Sequence, residues 1–198
     1  MIKIYPYFEY WHVVTVREIF QPCRDFAEKN GFIFEQTDVK DEYSYWKILS
    51  KYWTKDDILI QEHDVLPTQE QLDEIINCPY KDCVFLYDTD LNLPEFNQKT
   101  SAWTYKDISL DWKQGILADN ILFYNSKNIP EFTQGSTFGF IKISKEKQLA
   151  IPFDNPIEWH RGLDSYTSYI SAQKGFKLHI HKFVEHRHKL NYKQVLGI

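Results

Sequence analysis

The chain has 198 residues, enough for one sizeable hydrophobic core and short for two, so a single domain is expected. Hydrophobic residues make up 43% and charged residues 26% of the sequence, as in soluble globular proteins, and no apolar run reaches the roughly 18–20 residues that cross a bilayer. The formal net charge of −5, with 23 Lys and Arg against 28 Asp and Glu, argues against a broad phosphate-binding face and against nucleic acid as a partner.

The chain start and the cysteines indicate the compartment. The opening MIKIYPYFEYWHVV lacks the basic region and the small-residue cleavage site of a signal peptide, so a cytoplasmic protein is expected. Cys23, Cys78 and Cys83 are odd in number and have no CxxC spacing. This pattern disfavours a disulfide framework and a zinc site built on thiolates, and it predicts reduced, structural cysteines.

The first part of the chain alternates between strand and helix patterns. IKIYPYF alternates as a strand, and VREIFQPCRDFAEKNG has apolar residues at helical spacing before a terminal Asn-Gly. FIFEQTD predicts a second strand, DEYSYWKILSKYW an amphipathic helix, and DILIQEHD a third strand.

The alternation continues after this third strand. Thr68 and Gln71 form a capping-box pattern at the start of the helix TQEQLDEIINCP, and CVFLYD follows as a strand. Strands that alternate with helices predict an α/β fold with a mostly parallel sheet, covered on both faces, that binds ligands at the carboxyl ends of its strands. Glu62, His63 and Asp64 fall at such an end.

The second part of the chain is less regular. Residues 91–134 are polar with scattered aromatic residues, which is consistent with a substrate lid or with irregular packing. STFGFIKIS then predicts a strand, SYTSYISAQKG a short helix, and FKLHIHKFVEH a final strand.

Three groups of residues could carry chemistry. Glu62 and Asp64 would face one ligand only if the chain turns there, and they could then hold a divalent cation; the alternative is a solvated strand end. Four late histidines form two pairs at alternate positions, which suits a transition metal or simply a polar strand edge. Those histidines are His179, His181, His186 and His188.

Asp164 is the third candidate. It lies where a helix should begin, five residues after Trp159. A carboxylate at this position caps the helix or complements its dipole. It could alternatively serve as a general base that faces the same pocket.

Taken in order, these features resemble the GT-A glycosyltransferases. The resemblance rests on ILIQEHDVLP as a variant of the acid-x-acid (DXD) motif, on FGFIKIS as the strand entering the acceptor half, on WHRGLD as the site of the base, and on the late histidines. The layout is closest to the small glycosyltransferase-like proteins of crenarchaeal viruses. It implies a viral protein of the host cytoplasm with a single-domain GT-A (Rossmann-like) α/β/α sandwich over residues 1–198.

The resemblance also implies a division of labour within that domain. Residues of about 1–90 would form the nucleotide-binding half, and residues of about 91–198 the acceptor half with a metal-completing C-terminal strand. The nucleotide base would lie against Tyr7 or Phe8, with Asp38 nearby, at the ends of the first two strands.

The metal site and the reaction follow from the same resemblance. A divalent cation, Mn²⁺ or Mg²⁺, would bridge the diphosphate of a nucleotide sugar, with Asp64 as direct ligand and Glu62 contacting metal, water or ribose. His186 is the first candidate to complete the site and His188 the second, with His181 as a rival. His63 is expected to point away.

Asp164 matches the base of the inverting members, which deprotonates the acceptor hydroxyl. The acceptor class, whether glycoprotein, glycan or lipid, stays open.

Two other functions are consistent with parts of the sequence. A non-catalytic virion-associated or binding protein could keep the GT-A fold without activity, because fold alone does not guarantee function. A cupin-type metal-binding barrel is suggested by His179, His181 and Glu185, which have the HxHxxxE spacing. The helix-strand alternation opposes this last interpretation.

Overall fold

The computed structural model describes residues 2–8, 24–39, 42–62, 65–87, 99–153 and 162–186. The strands are β1 (Ile2–Phe8), β2 (Ile33–Val39), β3 (Ile58–Gln61), β4 (Val65–Leu66), β5 (Cys83–Leu86), β6 (Lys99–Tyr105), β7 (Ile121–Asn125), β8 (Phe132–Thr133), β9 (Gly135–Ser136), β10 (Phe140–Ile143), β11 (Leu178–Phe183) and β12 (Glu185–His186). The helices are α1 (24–29), α2 (Glu42–Tyr52), α3 (Gln69–Asn77), α4 (Trp112–Gly115), α5 (Lys145–Leu149) and α6 (Leu163–Gln173). Within these ranges no helix is long and apolar enough to cross a membrane.

A seven-stranded sheet in the order β2-β1-β3-β10-β5-β11-β8 forms the centre of the molecule. β1 pairs in parallel with β2 and β3, and β5 pairs in parallel with β11. β10 is antiparallel to both of its neighbours, β3 and β5, and β8 is antiparallel to β11. The sheet is therefore mixed, and the prediction of a mostly parallel sheet is corrected.

The position of β10 explains why the sheet is mixed. After β5 the chain builds a second, three-stranded sheet in the order β7-β6-β9, and Ser101 N–H donates to the Tyr87 carbonyl just beyond the end of β5. The chain thus returns from the carboxyl edge of the large sheet. β10 enters at that edge, with Phe140 opposite Gln61 at the end of β3, and must run in the reverse direction.

Helices cover both faces of the large sheet, as expected for an α/β/α sandwich. Alternate residues of a strand point to opposite faces, so Ile58 and Ile60 pack in one buried cluster with α2 and α6, whereas Leu59 packs in another with α1 and α3. This open, helix-covered sheet is inconsistent with the cupin-type barrel.

Residues 99–134 are more regular than their sequence predicted. They contribute β6, α4, β7 and β8, and Trp103 and Tyr105 pack with Tyr169 of α6 in a third buried cluster. The small sheet is thus anchored on α6. Both predicted halves contribute strands to the large sheet, and the assignment of their roles remains a prediction.

Several local signals in the sequence agree with the structure. Thr68 and Gln71 form the predicted reciprocal capping box at the start of α3. Gly31 and Gly175 follow α1 and α6 with φ of +67° and +83°, a conformation that a residue with a Cβ adopts at a cost.

Replacement of Leu49 by Ala should lower the free energy of unfolding by about 2–5 kcal/mol. Leu49 is fully buried in the α2 face of the core, so truncation leaves a cavity. Leu149→Ala is the matched control, because this leucine is 67% exposed and its loss should cost within about 0.5 kcal/mol. Urea unfolding followed by circular dichroism measures both, and equal losses would contradict the assigned core.

Candidate active site

The carboxyl ends of five described strands, β1, β2, β3, β5 and β11, lie along one edge of the large sheet. β1 is parallel to β2 and β3, and β5 runs in the same direction as β3 because both are antiparallel to β10. At the ends of the first two strands the backbone register places Tyr7 opposite Asp38 and Phe8 opposite Val39. Of the residues predicted to contact the nucleotide base, Tyr7 and Phe8 are adjacent in β1, and Asp38 lies opposite Tyr7 in β2.

The chain turns sharply where β3 ends. Glu62 N–H donates to the Gly139 carbonyl at 2.7 Å, and Val65 N–H donates to the Glu62 carbonyl at 3.2 Å, which closes a four-residue turn. The buried Gln61 amide donates across this turn to the Val65 carbonyl at 3.1 Å. Such a turn is what the acid pair at 62 and 64 needs in order to face one ligand.

The Glu62 side chain is held by a residue of α2. Tyr45 Oη donates to Glu62 Oε1 at 3.2 Å, and Tyr45 is itself 4% exposed. The Tyr45 ring packs edge-to-face on Phe138, with centroids 5.7 Å apart. The carboxylate at the end of β3 is therefore oriented by a phenol that the core holds in place.

His186 lies beside the same turn. β12 pairs antiparallel with β4, so that His186 lies opposite Val65, the residue that closes the turn. The His186 ring packs on Tyr87, with centroids 4.3 Å apart, and Tyr87 Oη is 2.6 Å from Thr137 Oγ1. The C-terminal strand thus brings an imidazole to the end of β3.

Gly139 permits this packing. A Cβ added at residue 139 would lie 2.3 Å from Cε1 of Tyr87, closer than real Cβ atoms come. A side chain at residue 139 would therefore displace the Tyr87 ring from the chain between β9 and β10. The backbone of Gly139 meanwhile accepts the Glu62 N–H.

Asp164 lies in the first turn of α6, one residue after its start. Gly162, with φ +97°, is the N-cap and supplies no side-chain cap bond, so Asp164 is not the capping residue. Its Oδ1 accepts from Ser165 N–H at 2.6 Å and from Ser165 Oγ at 3.3 Å. Burial raises the pKa of the Asp164 carboxyl above its usual value, against the opposing effect of these hydrogen bonds.

The structure brings some of the predicted site residues together and places others apart. Glu62 and His186 lie at the same turn. Asp164 is the second residue of α6, and Leu163, the first, shares a core cluster with Tyr45. His181, the alternative candidate for the metal site, lies under α3 instead, where its Nδ1 is 2.6 Å from Glu74 Oε1. Three predictions, on His63, Asp64 and His188, fall outside the described residues.

Two aromatic residues at this site were not predicted. The sequence pattern predicts only an amphipathic helix that includes Tyr45 and a strand pattern that includes Tyr87. Neither position carries a local signal for its contact, because Glu62 is 17 residues from Tyr45 and His186 reaches Tyr87 only through the β12–β4 pairing.

Comparison with known proteins gives likeness of structure without likeness of sequence. No protein-family model and no curated protein sequence matches the chain. The solved structure of A197 from STIV is similar with a TM-score of 0.52 and 14% identity, over 93% of this chain and 83% of A197. A glycosyltransferase involved in the glycosylation of the major capsid of PBCV-1 has a TM-score of 0.44 and 8% identity, over 92% of this chain and 83% of that one. At 14% identity the similarity to A197 shows a common fold alone.

Asp164→Asn should raise the free energy of unfolding at neutral pH. The folded-state pKa of this carboxyl is raised, so its ionised form costs stability at pH values above that pKa, and the amide removes the charge while keeping an acceptor for Ser165. The advantage should shrink as pH falls and vanish below about 3.8, where the carboxyl is protonated in both states.

Urea titrations at several pH values measure this difference. Asp119→Asn, at an exposed position, is the control and should show no such trend. A neutral-pH stability of Asp164→Asn at or below that of the parent would contradict the raised pKa.

Proposed function

We propose that this protein is a metal-dependent glycosyltransferase that moves a sugar from a nucleotide-diphosphate sugar to an acceptor hydroxyl. The observation that carries the proposal is the contact between the end of β3 and the C-terminal strand: Val65 N–H donates to the Glu62 carbonyl, and His186 lies opposite Val65. Ligands of open α/β sheets bind at this edge. The fold shared with A197 is compatible with the proposal and does not carry it.

The residues at this turn fit a divalent cation. Glu62 and Asp64 offer hard carboxylate oxygens and His186 an imidazole, with His188 as a further candidate two residues on. Mn²⁺ and Mg²⁺ accept such ligands, and one or two carboxylates suffice for an ion that also contacts phosphate. When bound, the ion supplies positive charge against the diphosphate as it departs.

The surrounding residues orient these ligands. The hydrogen bond from Tyr45 fixes one oxygen of Glu62, and Tyr87 packs against the His186 ring. Both rings belong to the buried core. Ligands whose rotamers are set by the core need less reorganisation when the donor binds.

The nucleotide is assigned to the neighbouring strand ends. We assign the base to Tyr7 or Phe8 and an acceptor role to Asp38, which is opposite Tyr7 in the backbone register. Both strand ends lie on the same side of β3 and at the same edge as Glu62. A nucleotide in this position would direct its diphosphate toward the turn.

Asp164 is proposed as the general base of an inverting transfer. The acceptor oxygen bonds to the anomeric carbon as the bond from that carbon to the diphosphate oxygen breaks, and the acceptor proton passes to the Asp164 carboxylate. Burial raises the pKa of this carboxyl, which makes it a stronger base than an exposed aspartate. Inversion follows because the acceptor attacks the face opposite the leaving group.

Asp64→Ala should abolish Mn²⁺-dependent binding of nucleoside diphosphates, because it removes the direct metal ligand. Isothermal titration calorimetry, with a panel of nucleoside diphosphates in the presence and absence of Mn²⁺, measures the effect. Asp119→Asn is the matched control and should bind as the parent does. Equal Mn²⁺-dependent binding of nucleoside diphosphate by the parent and by Asp64→Ala would contradict the proposed metal site.

Asp164→Asn should lower transfer or donor hydrolysis by about 10²–10⁴-fold, the usual contribution of a general base. Binding of nucleoside diphosphate with Mn²⁺ should survive, since the base does not hold the donor. Release of nucleoside diphosphate from a panel of nucleotide sugars gives the rate. An unchanged rate excludes Asp164 as the base, and a parent protein that neither binds nor turns over any donor favours a non-catalytic binding protein.

A further inference from the structure

Two cysteines and a histidine meet beneath helix α3, on the face of the sheet that packs against it. The potential ligand atoms of Cys78, Cys83 and His181 all lie within 4.8 Å of one another. Cys78 follows α3 directly as its C-cap, Cys83 begins β5, and His181 lies on β11, which pairs with β5. The turn that joins α3 to β5 thus brings the first two side chains to the third.

His181 is oriented as a metal-ligating histidine is. Its Nδ1 lies 2.6 Å from Glu74 Oε1, and its side chain is only 6% exposed. A carboxylate at Nδ1 keeps the proton on that nitrogen and leaves a lone pair on Nε2. Nε2 is buried, and it has no hydrogen-bond partner within the part of the chain that the structure describes. A buried acceptor without a partner is costly, so a further partner for Nε2 is expected.

His179 offers a fourth donor. Its Nδ1 lies 3.6 Å from Cys78 Sγ, and its ring packs on the His181 ring with centroids 4.8 Å apart. In register it is directly opposite Cys83. Stacking against Tyr80, at 4.5 Å between ring centroids, holds the His179 ring near the cysteines.

We propose that Cys78, Cys83 and His181, with His179 in the fourth position, form a binding site for a zinc ion. Two thiolates and two imidazoles are a common ligand set for structural zinc, and four side chains satisfy its tetrahedral preference. The Cys-x₄-Cys spacing lies within the range of such sites. The ion would tie the end of α3 and the nearby start of β5 to β11, which lies much later in the chain.

The charges around the site are compatible with zinc. Two thiolates offset the charge of the ion, and two oppositely charged groups flank the cluster. Lys142 is 4% exposed and lies opposite Cys83 on β10, and its Nζ is 3.4 Å from the Cys78 carbonyl. Glu74 is hydrogen-bonded to His181 on the other side. The occupied cluster is therefore neutral as a whole.

This site differs in chemistry from the one at the end of β3. Carboxylate oxygens at Glu62 and Asp64 suit Mn²⁺ or Mg²⁺, whereas thiolates select zinc and are poor ligands for magnesium. A metal bound at the cysteines can therefore be distinguished from a metal bound at the acids by its spectrum.

Cobalt substitution tests the proposal. The protein, purified under reducing conditions and stripped of metal, is titrated with Co²⁺ and followed by absorption spectroscopy. We expect one equivalent to produce a thiolate-to-cobalt charge-transfer band and the intense visible bands of a tetrahedral site, and Zn²⁺ to displace both. Mass spectrometry under native conditions should show one zinc ion per chain after growth with zinc.

Matched variants identify the ligands. Cys78→Ser and His181→Gln should lose the charge-transfer band or weaken Co²⁺ binding at least tenfold, and His179→Gln should change its tetrahedral bands. Glu74→Gln, at a half-exposed position where folding is not at risk, should weaken binding by about 10–100-fold through His181. Cys23→Ser is the cysteine control and should leave the spectrum unchanged.

Three results would overturn the proposal. They are a folded, reduced parent with no thiolate-to-cobalt band, a Cys78→Ser variant with the band and the Co²⁺ affinity of the parent, and peptide mapping that shows a Cys78–Cys83 disulfide in the protein isolated without reductant. The proposed transferase activity is independent of these outcomes. Asp64→Ala leaves the thiolate band in place, and Cys78→Ser leaves the acids at the end of β3.

Discussion

The insertion of β10 between β3 and β5 is the constraint on which the rest of the structure depends. All four of its residues pair antiparallel with β3, and Ile141 and Lys142 also pair antiparallel with β5, so β10 joins strands that would otherwise have no common neighbour. Phe140 faces one buried cluster, and Ile141 and Ile143 face the other, so the same short strand completes both cores. Every parallel strand is thereby held in the orientation that gathers the carboxyl ends at one edge.

The approach to β10 also shapes the candidate active site. Gly139 accepts the N–H of Glu62, and its missing side chain admits the Tyr87 ring, against which His186 packs. Gly139 therefore contacts both the end of β3, through the Glu62 N–H, and the Tyr87 ring on which His186 packs. The acid that the core orients through Tyr45 and the imidazole that packs on Tyr87 are two consequences of the same local packing.

The two proposed cation sites lie on strands of the same sheet and differ in burial and in ligand type. The first is proposed for Glu62 and Asp64, after β3, where a substrate phosphate could share the ion. The cysteines and histidines lie under α3, with Cys83 fully buried and the His181 side chain nearly so, which suits an ion with only protein ligands. The first would serve chemistry and the second would join chain segments.

Residues close together in the sequence made much of the fold predictable. The capping box of Thr68 and Gln71, the glycine stops after α1 and α6, and the strand-helix alternation over residues 24–39, 42–62 and 65–87 appear in the structure. Residues 16–23 of the first predicted helix lie outside the described residues. Short-range signals succeed here because helix caps and amphipathic faces depend on neighbours within about four residues. The Glu62 and His186 assignments rest on the resemblance to GT-A enzymes, and the structure places both residues at one turn without testing their roles.

The direction of β10 and the meeting of Cys78 and Cys83 with His179 and His181 could not be read in this way. The strand pattern of β10 does not indicate whether its neighbours run parallel or antiparallel to it. The spacing of Cys78 and Cys83 likewise does not indicate that histidines about a hundred residues later in the chain lie beside them. The sequence by itself determined which segments become helices and strands and which residues carry suitable chemistry. Only the tertiary structure decided which of those residues meet, because strand order and register, set by the burial of both faces of the sheet, bring distant side chains within bonding distance.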